Sequence, residues 1–200
     1  MLFSKYVILF FVYSFIGWVM EIITTFMSTK KIINRGFLIG PYCPIYGTGV
    51  LMIFFIAGFI NDFFYLFLIS LVLCTILEYF SSYFLELIFN IRWWDYSNEK
   101  YNIKGRICMR NLILFGIGGT IVLKFINPYL INIIDSLPIN IINIVSLIII
   151  LFVLFDFIMS MYLIFKYKKL KNNLEYDSTE YITKFIKDEI KNLKIFNMFN

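Results

Sequence analysis

Two carboxylates, Glu21 and Glu78, stand inside long apolar runs, and each is followed by a cation, Arg35 in the first case and Arg106 in the second. An acid at the centre of a membrane helix costs about 2.5–3.5 kcal/mol on insertion scales, so each needs a partner, a water cavity or a proton. One chemistry open to these four groups is a polar site facing the cytosol that binds a charged or zwitterionic solute or relays protons. The plainer alternative is a pair of ion pairs that pin each polar loop against its helix without doing chemistry. Both readings stay open at this point.

The stretch carrying the first cation, Asn34-Arg35-Gly36 through Gly40-Pro41-Tyr42-Cys43-Pro44-Ile45-Tyr46-Gly47, is rich in glycine and proline between two hydrocarbon runs. Irregular backbone survives at membrane depth only where protein or a water-filled cavity satisfies its N–H and C=O groups. The segment therefore folds back with its free N–H groups facing a ligand, or it is a tight connection at the surface. From this half the candidate residues are Glu21, Asn34, Arg35, Gly36, Gly40, Pro41 and Tyr46. From the second they are Glu78, Asp95, Asn102 and Arg106. Asp95 also suits a simpler part, capping a helix or pairing with Arg92. Asp156 is a third intramembrane acid without an obvious mate, and Lys124 is placed to snorkel outward.

The chain has no histidine, which removes Ser-His-Asp and Cys-His catalysis and any histidine-ligated metal. It carries no G-x-x-x-x-G-K-[ST] phosphate loop and no recognisable catalytic motif, so enzymatic activity is not the favoured reading. No cofactor and no metal site is expected. Cys43, Cys74 and Cys108 are too few and too scattered for a disulfide framework and read as free thiols. A net charge of +5 raises nucleic acid as a partner, but the distribution of that charge argues for membrane topology instead.

With 60% hydrophobic residues and 24 phenylalanines, the chain exceeds the apolar content of ordinary soluble domains. The expected fold is all-α, a polytopic membrane protein of about five transmembrane helices. The spans fall at roughly 6–27, 45–60, 63–89, 108–126 and 139–165. The N-terminus lacks the features of a cleaved signal peptide, so the first span is expected to stay. Basic residues gather in alternate loops: Lys30, Lys31 and Arg35, then Arg92 to Arg110, then Lys166 onward. The positive-inside rule sets the N-terminus outside and the C-terminus in the cytosol of a cell (cytoplasmic) membrane protein. Residues 1–166 form the transmembrane domain, and 167–200 a basic tail. In the tail, Asp177-Ser178-Thr179-Glu180 reads as a capping box before Ile182, Phe185, Ile186, Ile190, Leu193 and Phe196 at helical spacing. Such an amphipathic helix is expected on the anionic inner leaflet, so membrane lipids are partners.

An internal likeness links the two halves. Glu21-Ile22-Ile23-Thr24-Thr25-Phe26 matches Glu78-Tyr79-Phe80-Ser81-Ser82-Tyr83 in kind: acid, two bulky apolar residues, two hydroxyls, aromatic. An asparagine, a cation, a glycine and a cysteine follow in each. Two parallel hairpin repeats, 6–62 and 63–127, plus one further helix would account for it, an arrangement common in transporters. Trp93, Trp94 and Tyr96 read as an aromatic belt at the inner interface. Gly116, Gly118 and Gly119 read as a face for close helix packing.

These residues resemble one family. Gly17-Trp18 with Glu21, Asn34-Arg35-Gly36-Phe37-Leu38 and Gly40 through Gly47 are similar to its first signature. Glu78-Tyr79, Trp93-Trp94-Asp95-Tyr96-Ser97 and Asn102 through Cys108 are similar to its second. The family is that of the putative ABC-transporter type IV permeases, the CmpB-like integral membrane proteins of Firmicutes, and the likeness covers about the first three-quarters of the chain. It implies a permease working with a separate ATPase subunit, although the chain lacks an EAA-type coupling segment. Three function classes stand: a permease for a small solute, a membrane-embedded lipid-modifying enzyme, and a structural or regulatory membrane subunit. Five spans are few for a complete pathway, so a homodimer or a partner protein is expected.

Overall fold

Long apolar runs without internal proline become long helices. The computed structural model describes residues 2–30, 36–170, 184–186 and 188–189. Helix α1 runs over Leu2–Thr29, α2 over Pro44–Ala57, α3 over Phe63–Phe89, α4 over Met109–Ile121, α5 over Asn127–Asp135 and α6 over Ile139–Leu170. Asp62 starts α3 by accepting the Tyr65 amide at 3.0 Å, and Asn90 ends it in the left-handed conformation at φ 53°. A π-helical turn, Val122–Ile126, joins α4 to α5 in one continuous rod. Pro128 supplies the cause, because it has no N–H and its ring crowds the carbonyl four residues back.

Four stretches are long and apolar enough to cross a membrane: Leu2–Met27, Phe63–Phe89, Met109–Asp135 and Ile139–Tyr167. The rods carry exposed large apolar side chains such as Ile148, Phe155 and Ile158, as lipid-facing surfaces do. The protein is an all-α polytopic membrane protein. Among the described residues the strands are two short ones, β1 (Asn102–Ile103) and β2 (Ile107–Cys108). They pair antiparallel with Asn102 opposite Cys108.

The second expected span, 45–60, is the shorter apolar helix α2. Helix α2 has 14 residues, about 21 Å at the helical rise, against about 30 Å of hydrocarbon. It packs antiparallel to α1, with Tyr6 against Phe54 and Phe55 at one end and the Cys43 amide on the Ser14 carbonyl, 2.8 Å, at the other. Ser14 lies near the middle of α1, so α2 starts halfway along its neighbour. The non-helical segment 36–43 supplies the other half. The fourth span also runs further than expected, to Asp135.

Close packing depends on glycines at two places. A Cβ on Gly17 would strike the root of the Tyr46 side chain, and one on Gly47 would strike the Phe10 carbonyl and the Ser14 hydroxyl. Gly116 and Gly119 do the same work between α4 and α3, meeting Phe67 and Ser70, whereas Gly118 faces open space. In the tail, Phe185 and Ile186 pack on the buried cluster of Phe89, Ile91, Trp93, Ile164 and Tyr167, and Lys166 pairs with Glu189 at 2.5 Å. The rest of the expected amphipathic helix lies outside the described residues.

Candidate functional site

Residues 36–43 reach the centre of the helical bundle because Asp156 holds them there. Its carboxylate, midway along α6, accepts the Ile39 amide at 3.2 Å, the Gly40 amide at 3.0 Å and the Tyr42 hydroxyl at 2.6 Å. The Ser160 hydroxyl, one turn on, accepts the Ile39 amide at 3.1 Å and donates to Asp156 at 3.2 Å. Asp156 is 5% exposed and Tyr42 wholly buried, so these are hydrogen bonds in a dry setting. The Tyr42 amide goes to the Gly40 carbonyl and the Cys43 amide to Ser14. The segment's N–H groups are thus taken up by the protein, and the expectation that they face a ligand does not hold for Ile39, Gly40, Tyr42 and Cys43. Gly40 is required by close approach, since a Cβ would press on the Tyr42 ring and the Asp156 carboxylate. Pro41 is exposed, and Gly36 is half-buried.

The chain leaves this segment through Cys43, the N-cap of α2, and one turn later presents Tyr46 to Glu21. The Tyr46 hydroxyl donates to Glu21 Oε1 at 2.5 Å. The second hairpin has the same local order. Cys108 is the N-cap of α4, and three residues on, the Asn111 side chain faces Glu78. Tyr96, from the loop between α3 and α4, is also within hydrogen-bonding reach of Glu78, and both Tyr96 and Glu78 feel the Glu21 carboxylate. Glu21, Tyr46, Tyr96, Glu78 and Asn111 therefore form one polar cluster drawn from five segments of the chain. Glu78 is 4% exposed, and its Oε2 is enclosed without a hydrogen-bond partner. Among the described residues neither carboxylate forms an ion pair.

Arg106 does not meet Glu78, the partner expected from its place beyond the same helix. Its guanidinium lies 2.7 Å from Glu86, two turns further along α3, and its Nη1 donates to the Ser82 hydroxyl at 3.2 Å. The rings of Tyr79 and Tyr83 flank it. Glu86 also meets Arg92 at 3.4 Å, and Arg92 meets Asp95 at 3.5 Å. Two cations and two acids thus close a network around the entry to α4. Burial pushes Asp95 upward, but the Ser97 hydroxyl and amide, with Arg92, outweigh it and hold the carboxyl below its usual range. Asn102 acts on the backbone alone: its amide donates to the Ser97 and Glu99 carbonyls, and its carbonyl accepts the Gly105 N–H at 3.0 Å. Gly105 itself needs φ +67°, and a Cβ there would strike Asp95 and Ser97.

The aromatic belt read from Trp93, Trp94 and Tyr96 is corrected by these contacts. Trp93 is 4% exposed and packs with Phe37, Phe89 and Ile164, while Trp94 donates to the Arg106 carbonyl at 2.9 Å. Tyr96 turns to the acid cluster. Asn34 and Arg35 lie outside the described residues, and with them the expected Glu21–Arg35 pair. Sequence reasoning missed Tyr96, Asn111, Glu86 and the structural part of Asp156. The signal for Asn111 was present, since it follows Cys108 by the interval that separates Tyr46 from Cys43.

A family model described as "Putative ABC-transporter type IV" matches residues 8–161, a span that holds every member of the cluster and both polar loops. Neither the curated proteins nor the solved structures include a match.

Proposed function

The chain belongs to the putative ABC-transporter type IV family, and from that premise we propose that it is a membrane permease whose small solute passes through the Glu21–Glu78 cluster. The observation that carries the reading is the meeting of two intramembrane acids from separate hairpins, Glu21 held by Tyr46 and Glu78 beside Tyr96 and Asn111. Intramembrane acids face bundle interiors or solute pathways because lipid cannot solvate them. The short helix α2 follows non-helical backbone at membrane depth, the kind of interruption at which transporters build midplane sites.

The remaining parts of the proposal follow from the same layout. Residues 6–62 and 63–127 act as parallel repeats, supported by the equivalent places of Cys43 with Tyr46 and Cys108 with Asn111. The N-terminus is outside and the C-terminus cytosolic, supported by the alternation of basic loops. Two copies pair within the cell membrane, and a separate ATPase subunit supplies the energy, as the family description suggests. The test is efflux. Liposomes holding the purified chain are loaded with a cytosolic small-molecule extract, and their contents are followed by mass spectrometry with the candidate ATPase and ATP present. Loss of particular solutes is expected with the natural chain and not with Glu21→Gln or Glu78→Gln. Identical retention in protein-free liposomes would overturn the reading.

A further inference from the structure

Among the described residues the acid cluster meets no cation. Glu78 brings a carboxylate that is 4% exposed, and its Oε2 accepts no hydrogen bond. A buried acceptor without a donor is costly, and a buried charge without a counter-charge more so. Among the described residues the groups around it are Glu21 from α1, Tyr46 from α2, Tyr96 from the second loop, Asn111 from α4 and Cys74 from its own helix. Each is acidic or neutral. The nearest cation of the second loop, Arg106, is occupied by Glu86 at 2.7 Å.

We propose that the Glu21–Glu78 cluster is a binding site for a small protonated amine, which Glu78 Oε2 and Glu21 receive through N–H donors. An anion would meet two carboxylates, and a neutral solute would leave their charge uncompensated. A divalent metal needs more ligands than the site offers, and no group of three or more metal-ligating side chains occurs among the described residues. An ammonium group needs less: acceptor oxygens for its N–H groups, which Oε2 and the second carboxylate supply. This rests on the permease reading for the fate of the ligand but not for its binding.

Binding is measured on the full purified chain in detergent, by the shift in thermal unfolding midpoint with methylammonium chloride, sodium chloride or tetramethylammonium chloride at equal ionic strength. Methylammonium should raise the midpoint by several degrees over sodium. Tetramethylammonium, which has the charge but no N–H, should not. Glu78→Gln should abolish the methylammonium shift. Should that variant fail to fold, Glu78→Asp and Asn111→Ala replace it, each expected to weaken the shift at least tenfold in methylammonium concentration. Equal shifts for methylammonium and sodium, a shift unchanged by the Glu78 and Asn111 variants, or stabilisation by acid alone would each overturn the proposal. An amine shift without efflux would leave the binding site standing and remove the permease reading instead.

Discussion

Asp156 accepts the Gly40 amide at 3.0 Å across 116 residues of sequence, and this one contact explains why the glycine- and proline-rich segment sits inside the bundle. A segment with so few internal hydrogen bonds must find acceptors elsewhere at membrane depth. The carboxylate takes two of its amides and the Tyr42 hydroxyl, and the helix that carries it is covalently remote. The start of α2, and with it the position of Tyr46 over Glu21, depends on that tether.

Asp156→Ala strands the Gly40 amide and the Tyr42 hydroxyl, each worth about 1–3 kcal/mol when left buried without a partner, while the Ile39 amide keeps the Ser160 hydroxyl. We expect a large loss of thermal stability and loss of any activity assigned to the acid cluster. Tyr42→Phe removes one hydrogen bond and should cost about 0.5–1.5 kcal/mol. Thermal unfolding of the two variants side by side checks the order; equal losses would mean that the backbone contacts contribute nothing.

The glycines separate into two kinds. Gly47→Ala must push against the Phe10 carbonyl, which is backbone and cannot swing aside, so a loss of about 1–3 kcal/mol is expected. Gly118→Ala meets nothing within 4 Å and gains helix propensity, so it should be neutral or stabilising by up to about 1 kcal/mol. Unfolding midpoints of the two single variants decide the matter, and a destabilised Gly118→Ala would show a contact at that face.

Asp95 gives a pH signature outside the spans. Its folded-state carboxyl is held below the usual range by Ser97 and Arg92 against the opposing effect of burial. The unfolded chain therefore binds a proton there more readily, and the stabilisation is present above the ordinary carboxylate value. It is lost as the pH falls through the depressed value. Asp95→Asn should lower stability by about 0.5–1 kcal/mol at neutral pH and by nothing in strong acid, as followed by chemical denaturation across pH.

What could be read from the sequence was set by periodicity and solvation, which are local. Long uninterrupted runs gave α3 to the residue and α1 and α6 to within about five residues at each end, and the cost of an intramembrane acid marked Glu21 and Glu78 before any contact was known. Partners were harder, because they come from tertiary geometry. Arg106 follows the helix of Glu78 as Arg35 follows that of Glu21, yet the short hairpin at Asn102–Cys108 carries it past Glu78 to Glu86. Tyr96 sits in a string of interfacial aromatics, and only the bond from its amide to the Gly105 carbonyl shows that the loop turns inward there. Asp156 looked unpaired because its partners are two backbone amides and two hydroxyls, none of them a cation.

Topology gives a prediction of its own. Basic residues in alternate loops, with Lys5 paired to Asp135 and Lys124 bonded to the Ile60 carbonyl at the other end, imply a cytosolic C-terminus. With Asn200→Cys, an impermeant thiol reagent should label position 200 only after the cells are opened. Labelling from outside intact cells would reverse the assignment.

The last prediction sets Arg106 between its two candidate acids. At 2.7 Å from Glu86, with Ser82 accepting another of its N–H groups, the guanidinium should be coupled to Glu86 and not to Glu78. Glu86 keeps some water access, its side chain being 27% exposed, so losing one partner should cost about 1–3 kcal/mol, less than a fully buried pair. A double-mutant cycle of Arg106→Met with Glu86→Gln should give a coupling of at least about 1 kcal/mol, while the cycle with Glu78→Gln should be additive within about 0.5 kcal/mol. Met keeps much of the apolar stem packed against Tyr79 and Tyr83, so the cycle isolates the charge. Strong coupling to Glu78 would mean that the second loop can carry its cation into the acid cluster. The site would then hold its own counter-charge, and its preference for a cationic ligand would disappear.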